Sequence, residues 1–126
     1  MVAIPSDEEF DKLISQAIDE LPQDRIKWLE NVAITYDDQP TVYQKEKLKM
    51  RGDNFLLGLY EGIPLTKRGA GYNLVLPDKI TLFKIPLAQI SHNDDDFRRN
   101  IKHTLWHEIA HHYGLNHDDI AKKGGF

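Results

Sequence analysis

The residues best suited to chemistry form one short stretch near the C-terminal end of the chain, the sequence HEIAH at 107–111. Because residues four apart in an α-helix lie nearly above one another, the imidazoles of His107 and His111 can point at one metal ion. Glu108 lies beside this pair, where its carboxylate can take a proton from a water molecule on the metal. The spacing therefore predicts a zinc site with its catalytic base in place.

The residues after this motif supply a turn and a third candidate ligand. Gly114 is predicted to end the helix, because glycine adopts the left-handed conformation of a helix C-terminus without strain. The turn would bring His117 back towards the metal, or Asp118 if it runs one residue longer. Three protein ligands with a fourth position open to water are typical of catalytic rather than structural zinc.

Hydrolysis of a peptide bond at such a zinc site would also need a hydrogen-bond donor, which stabilises the negative charge that develops on the substrate oxygen. Three residues are candidates for this donor: Tyr72, Arg68 and His112. Structural alternatives exist for two of them. Tyr72 could instead anchor its loop, and His112 could be buried on the core face of the helix. His103 lies one turn before His107, and we interpret it as a residue that supports the ligands or lies on the surface.

The N-terminal third of the chain predicts two helices and a strand. Ser6 followed by Glu9 is typical of a capping box, and it opens an amphipathic helix that should end near Pro22. Apolar residues at helical spacing predict a shorter second helix within residues 23–31. The β-branched run at 32–36 predicts the first strand.

The middle of the chain is predicted to add strands and loops. Residues 41–50 are rich in Lys and Gln, which favours a solvated connector or a weak helix. Strands are predicted over residues 55–60, 74–76 and 79–85, where apolar and β-branched residues lie between turn residues.

The helix that carries the motif is predicted to begin with Ser91 or Asn93 as its N-cap. Three aspartates follow, and they suit the positive end of the helix dipole. The residues expected on the buried face of this helix are Phe97, Ile101, Leu105, Ile109 and His112.

Composition excludes several classes of protein. The chain has 126 residues, which favours one domain over 1–126, and it contains no cysteine, which rules out a disulfide scaffold or a thiolate zinc finger. A net charge of −4 gives no electrostatic reason to expect nucleic acid or an anionic membrane as a partner. The acidic N-terminal residues and the lack of a long apolar run favour a cytoplasmic protein.

Four segments together resemble the mini-zincins, small bacterial zincin-like metallopeptidases. They are HEIAHHYG at 107–114, LPDKITLFKIPL at 76–87, LLGLYEGIPLTKR at 56–68, and the tail ending in AKKGGF. The resemblance implies an α+β zincin-like fold, in which a small twisted mixed sheet packs on the N-terminal helix and on the HExxH helix. It also implies one Zn²⁺ ion and a peptide or unfolded protein as substrate.

The family pattern usually places aspartate at the third ligand position, in HExxHxxGxxD. This chain has His117 at that offset, as metzincins do, and Asp118 follows it. No methionine lies downstream, so the similarity to metzincins is confined to the motif.

Two functions are therefore predicted. In the first, the protein is a zinc metallopeptidase in which Glu108 activates a zinc-bound water molecule. In the second, it is a non-catalytic metal-binding or scaffold protein of zincin shape.

Overall fold

The structure is a computed structural model of the chain, and it describes residues 2–27, 29, 31–48, 55–63 and 78–114. The elements in these ranges are α1 (Asp7–Glu20), α2 (Gln23–Ile26), β1 (Val32–Asp37), α3 (Val42–Lys47), β2 (Gly58–Glu61), β3 (Asp78–Phe83), α4 (Lys84–Ile90) and α5 (Asp94–His112).

The three strands form one mixed sheet in the order β1-β3-β2. β1 is parallel to β3, and β2 is antiparallel to it. β3 occupies the centre, and its residues Ile80 and Leu82 are fully buried. β2 pairs with β3 alone among the described strands, so its other edge faces away from the sheet. Helix α5 packs beside β2.

Helix α1 covers the core from one side. The hydroxyl of Ser6 accepts a hydrogen bond from the backbone N–H of Glu9 at 3.1 Å, which confirms the predicted N-cap. α1 packs against α5, and the ring of Phe10 stacks on that of Phe97 with centroids 6.1 Å apart. The predicted arrangement, a small mixed sheet against the N-terminal helix and the motif helix, is confirmed.

Local chemistry fixes both ends of α5. The side chain of Asn93 accepts from the backbone N–H of Asp96 at 2.8 Å, so Asn93 is the N-cap. Ser91, the alternative, donates its hydroxyl hydrogen to the carbonyl of Leu87 at 2.7 Å. At the other end Gly114 has a φ of 80°, the left-handed conformation predicted for it.

The observed elements differ from the predicted ones in several places. The second helix covers only Gln23–Ile26, and the weak helix at 41–50 is the capped helix α3. β2 begins at Gly58 rather than at residue 55, and β3 ends at Phe83, where α4 follows directly. The strand predicted at 74–76 lies outside the described residues. In the described ranges, every helix is too short or too polar to span a bilayer.

Candidate metal centre

His107 and His111 lie on one face of α5, and their Nε2 atoms are 3.1 Å apart. Two nitrogens that bind one Zn²⁺ ion at 2.0–2.1 Å with tetrahedral angles are separated by about 3.3 Å. The two rings are tilted by 76° and their centroids lie 4.7 Å apart, so both can point at a common centre. The spacing and the type of donor therefore fit a zinc ion.

Glu108 completes a cluster in which one donor atom from each of the three side chains lies within 4.8 Å of the others. The side chain is buried, with 8% of the residue exposed. Burial raises the pKa of its carboxyl group to about 7, and a hydrogen bond from the backbone N–H of Tyr60 works in the opposite direction. A carboxyl group with a pKa near neutrality suits a general base.

The hydrogen bond from Tyr60 follows from the register of the edge strand. Phe83 donates its backbone N–H to the carbonyl of Leu57 at 2.9 Å. Because bonded and non-bonded residues alternate along an antiparallel strand, Leu59 also faces β3, whereas Gly58 and Tyr60 direct their backbone groups outward. The outward N–H of Tyr60 meets Glu108, and the outward groups of Gly58 lie beside it, on the edge that no other described strand covers.

A cleft runs between β2 and α5 at this point. It consists of two adjoining cavities of about 340 and 320 Å³, which share four lining residues: Leu56, Gly58, His107 and Glu108. The first extends towards His103 and Thr104, and the second towards Leu48, Leu59 and His111. The metal cluster thus opens onto a groove with apolar walls.

A larger cavity of about 430 Å³ lies between α1 and the first turn of α5. None of the motif residues lines it. The chemistry of the lining residues, rather than cavity size, identifies the groove beside β2 as the candidate site.

His112 lies in the core and not in the groove. It is fully buried, and its Nδ1 atom is 2.7 Å from Oδ2 of Asp78. Burial on the core face was the structural alternative for this residue, and in this position it has no surface to offer a substrate. His103, in contrast, lines the first cavity together with His107.

The other predicted site residues lie outside the described residues: the third-ligand candidates His117 and Asp118, and the possible substrate contacts Tyr72 and Arg68. Sequence reasoning missed two residues that the structure brings to the site, Gly58 and Tyr60. A glycine within an apolar strand is a known signal of close backbone approach, and it could have indicated Gly58. Tyr60 gave no such signal.

A family model described as zincin-like metallopeptidase matches residues 29–125. No curated protein matches the chain. Among solved structures, a conserved hypothetical protein from Thermus thermophilus is similar, with a TM-score of 0.56 and 22% sequence identity over 86% of this chain and 94% of that chain. At this identity the similarity supports the fold. Since the family model covers most of the sequence and includes the HExxH motif, the chain belongs to the zincin-like metallopeptidase family.

Proposed function

We propose that this protein is a zinc-dependent metallopeptidase that hydrolyses peptide bonds, with Glu108 as the general base. The observation that carries the proposal is the position of Glu108. Its carboxyl group is buried between two histidines with convergent Nε2 atoms and an edge strand that donates a backbone hydrogen bond to it.

His107 and His111 would hold the ion through their Nε2 atoms. His117 would be the third ligand, with Asp118 as the alternative, and both follow the turn at Gly114. A bound Zn²⁺ ion supplies a Lewis acid, which polarises a carbonyl group and lowers the pKa of water.

Glu108 moves the proton. A carboxylate oxygen of Glu108 accepts a proton from the attacking water and returns it to the nitrogen of the leaving amine. The backbone N–H of Tyr60 holds this carboxylate in place. In the metal-free protein, burial raises the pKa of Glu108 to about 7, so its carboxylate is a stronger base there than that of an exposed glutamate.

The outer edge of β2 is the proposed binding surface for the substrate main chain. The outward backbone groups of Gly58 and the carbonyl of Tyr60 can pair with an extended peptide, as in strand addition. Leu48, Leu56 and Leu59 line the groove next to this edge, so apolar substrate side chains should be favoured there. An unfolded or loosely folded segment meets this requirement, because its backbone is free to pair.

The test is a comparison of the wild type with Glu108→Gln. Zinc is measured by elemental analysis of protein purified without chelator or added metal, and hydrolysis is followed on an unstructured peptide. The variant should retain stoichiometric zinc and lose hydrolysis, because an amide cannot accept the proton. Chelator should abolish the activity of the wild type, and added zinc should restore it.

Glu9→Gln is the matched control, since Glu9 is exposed on α1 and lies away from the groove. It should have wild-type activity and zinc content. Equal hydrolysis by wild type and Glu108→Gln would overturn the proposal. Bound zinc without hydrolysis in either protein would favour the alternative, a metal-binding scaffold.

A further inference from the structure

Three side chains from separate elements meet at one buried oxygen atom. Oδ2 of Asp78, at the start of β3, lies 2.7 Å from the hydroxyl oxygen of Tyr60 and 2.7 Å from Nδ1 of His112. Asp78 is 2% exposed, and His112 is fully buried. A carboxylate accepts hydrogen bonds, so the tyrosine hydroxyl and the imidazole N–H both donate to it. Hydrogen bonds to a carboxylate are short and strong, which matches the observed distances.

This network joins the edge strand to the last turn of the metal helix. Tyr60 lies opposite Ile80, which makes Asp78 its diagonal neighbour on the same face of the sheet. His112 follows His111 directly in α5, and its ring lies edge to face with that of Tyr60, with centroids 5.8 Å apart. The Tyr60–Asp78–His112 network therefore fixes the position of β2 relative to the last turn of α5.

Packing leaves this network little room to move. A Cβ atom on Gly62, one residue after β2, would stand 2.4 Å from Cγ of Asp78. The chain at the end of β2 thus lies directly on the carboxyl group. This contact and the hydrogen bond from Tyr60 both tie the end of β2 to Asp78.

Tyr60 binds different partners through its side chain and its backbone. Its hydroxyl anchors it to Asp78, and its backbone N–H holds Glu108. Without the anchor, β2 is a four-residue strand paired on one side within the described residues, and such a strand shifts easily. A shift of an ångström would carry the N–H away from the carboxylate.

We propose that Tyr60 is a positioning residue, whose bond to the Asp78–His112 pair holds the backbone N–H of the edge strand in place against the Glu108 carboxylate. The proposal rests on the proposed function for its catalytic consequence. The effect of the Tyr60 hydroxyl on the hydrogen bond between its backbone N–H and Glu108 can, however, be tested on the metal-free protein.

The experiment measures amide hydrogen exchange by NMR in metal-free wild type and Tyr60→Phe. An outward N–H on a free edge exchanges quickly unless it has a partner, so the residue-60 amide should be protected in the wild type. In Tyr60→Phe its exchange should be at least about tenfold faster, while the Leu59 amide, which faces β3, stays protected. Glu108→Ala gives the rate without an acceptor.

Tyr36→Phe is the matched control, because Tyr36 is a partly buried aromatic residue on the other edge strand and packs on Phe10. It should leave the residue-60 exchange rate unchanged. Asp78→Ala tests the same network from its centre, because it removes the oxygen that accepts both hydrogen bonds, and it should also speed exchange at residue 60. Unchanged exchange in Tyr60→Phe and Asp78→Ala, with both proteins folded, would overturn the proposal.

Kinetics give the second readout. In the zinc-loaded protein, Tyr60→Phe should lower kcat by about ten- to a hundredfold, because misplacement of the base slows the chemical step. KM should rise as well, because the same shift of β2 displaces the edge that is proposed to pair with the substrate. The cobalt(II) absorption spectrum should be retained, since neither histidine ligand is changed. If the wild type does not hydrolyse peptides, the proposed function fails, and the exchange experiment still decides the role of Tyr60.

Discussion

Gly58 lies so close to Thr104 that a Cβ atom on the glycine would stand 2.7 Å from Cγ2 of the threonine. It would also stand 3.3 Å from Cγ of Glu108. The edge strand and the metal helix therefore approach each other through a position that has no side chain. The depth of the candidate groove depends on this contact.

Gly58→Ala should push β2 away from α5. We expect a loss of about 1–3 kcal/mol in the free energy of unfolding, the usual cost of an additional methyl group in a packed site. Peptidase activity should fall further than stability predicts, because the same movement displaces the N–H that holds Glu108. Chemical denaturation and the peptide assay measure the two effects.

Thr104→Ser offers a direct check of that cause, since it removes Cγ2 and keeps the hydroxyl group. In the double variant Gly58→Ala/Thr104→Ser, at least half of the lost stability should return, and the two changes should be non-additive. Additive losses would show that the Gly58–Thr104 contact is not the source of the effect.

Much of this fold was predictable because its signals are local. Ser6 and Gly114 act through their own backbone neighbours, so short sequence patterns identified a cap and a helix end. Four-residue spacing also brought His107 and His111 together without any knowledge of the sheet. The sequence predicted two alternative N-caps for α5, Ser91 and Asn93. A single side-chain hydrogen bond identifies Asn93 as the N-cap.

Other parts of the site depend on tertiary contacts that no local pattern contains. Tyr60 and Asp78 are 18 residues apart, and they meet only because β2 pairs with β3 in one particular register. The strand predicted to continue to residue 85 ends at Phe83, since α4 begins at Lys84, with Pro86 in the first turn, where proline is tolerated. The third-ligand prediction, His117 or Asp118, stays a prediction because both lie outside the described residues.

Metal-free protein should lose stability as Glu108 ionises. The folded state holds the proton of Glu108 up to a pKa of about 7, whereas the unfolded chain releases it near the ordinary value of 4.5. The folded state therefore binds more protons between these values, and stability falls as pH rises through that window. The contribution is fully present below pH 4.5 and is lost above pH 7.

Glu108→Gln removes this titration and keeps a side chain of the same size. From pH 4.5 to pH 8 the wild type should lose about 3 kcal/mol relative to the variant, the free energy that corresponds to the raised pKa. Denaturant titrations of both metal-free proteins at several pH values measure the difference, in which titrating groups distant from Glu108 cancel. A difference that does not vary with pH would show that Glu108 titrates normally in the folded protein.

Loss of either histidine should weaken zinc binding. We expect His107→Ala and His111→Ala to lower zinc affinity by more than about a hundredfold. Loss of a residue that only hydrogen-bonds to a metal ligand already lowers metal affinity about 10- to 100-fold. Competition with a chromophoric chelator gives the affinities. His92→Gln is the control, because His92 is exposed before α5 and should leave affinity unchanged. Equal affinity in all three variants would place the metal elsewhere.

Asp7 is expected to stabilise the fold through the buried Lys84. Nζ of Lys84 lies 2.7 Å from Oδ1 of Asp7 and 3.3 Å from Oδ1 of Asp38, and these bonds, the one to Asp7 first, raise the pKa of the lysine. Asp7→Asn should cost on the order of 1 kcal/mol, because it leaves the ammonium group of Lys84 with one carboxylate instead of two, and solvent around the exposed Asp7 side chain screens part of the loss. Glu8→Gln removes the same charge from the same turn, where Glu8 makes an exposed pair with Lys12 at 3.9 Å, and should cost less than about 0.5 kcal/mol. Equal losses in urea denaturation would assign the effect to the helix dipole instead of the buried lysine.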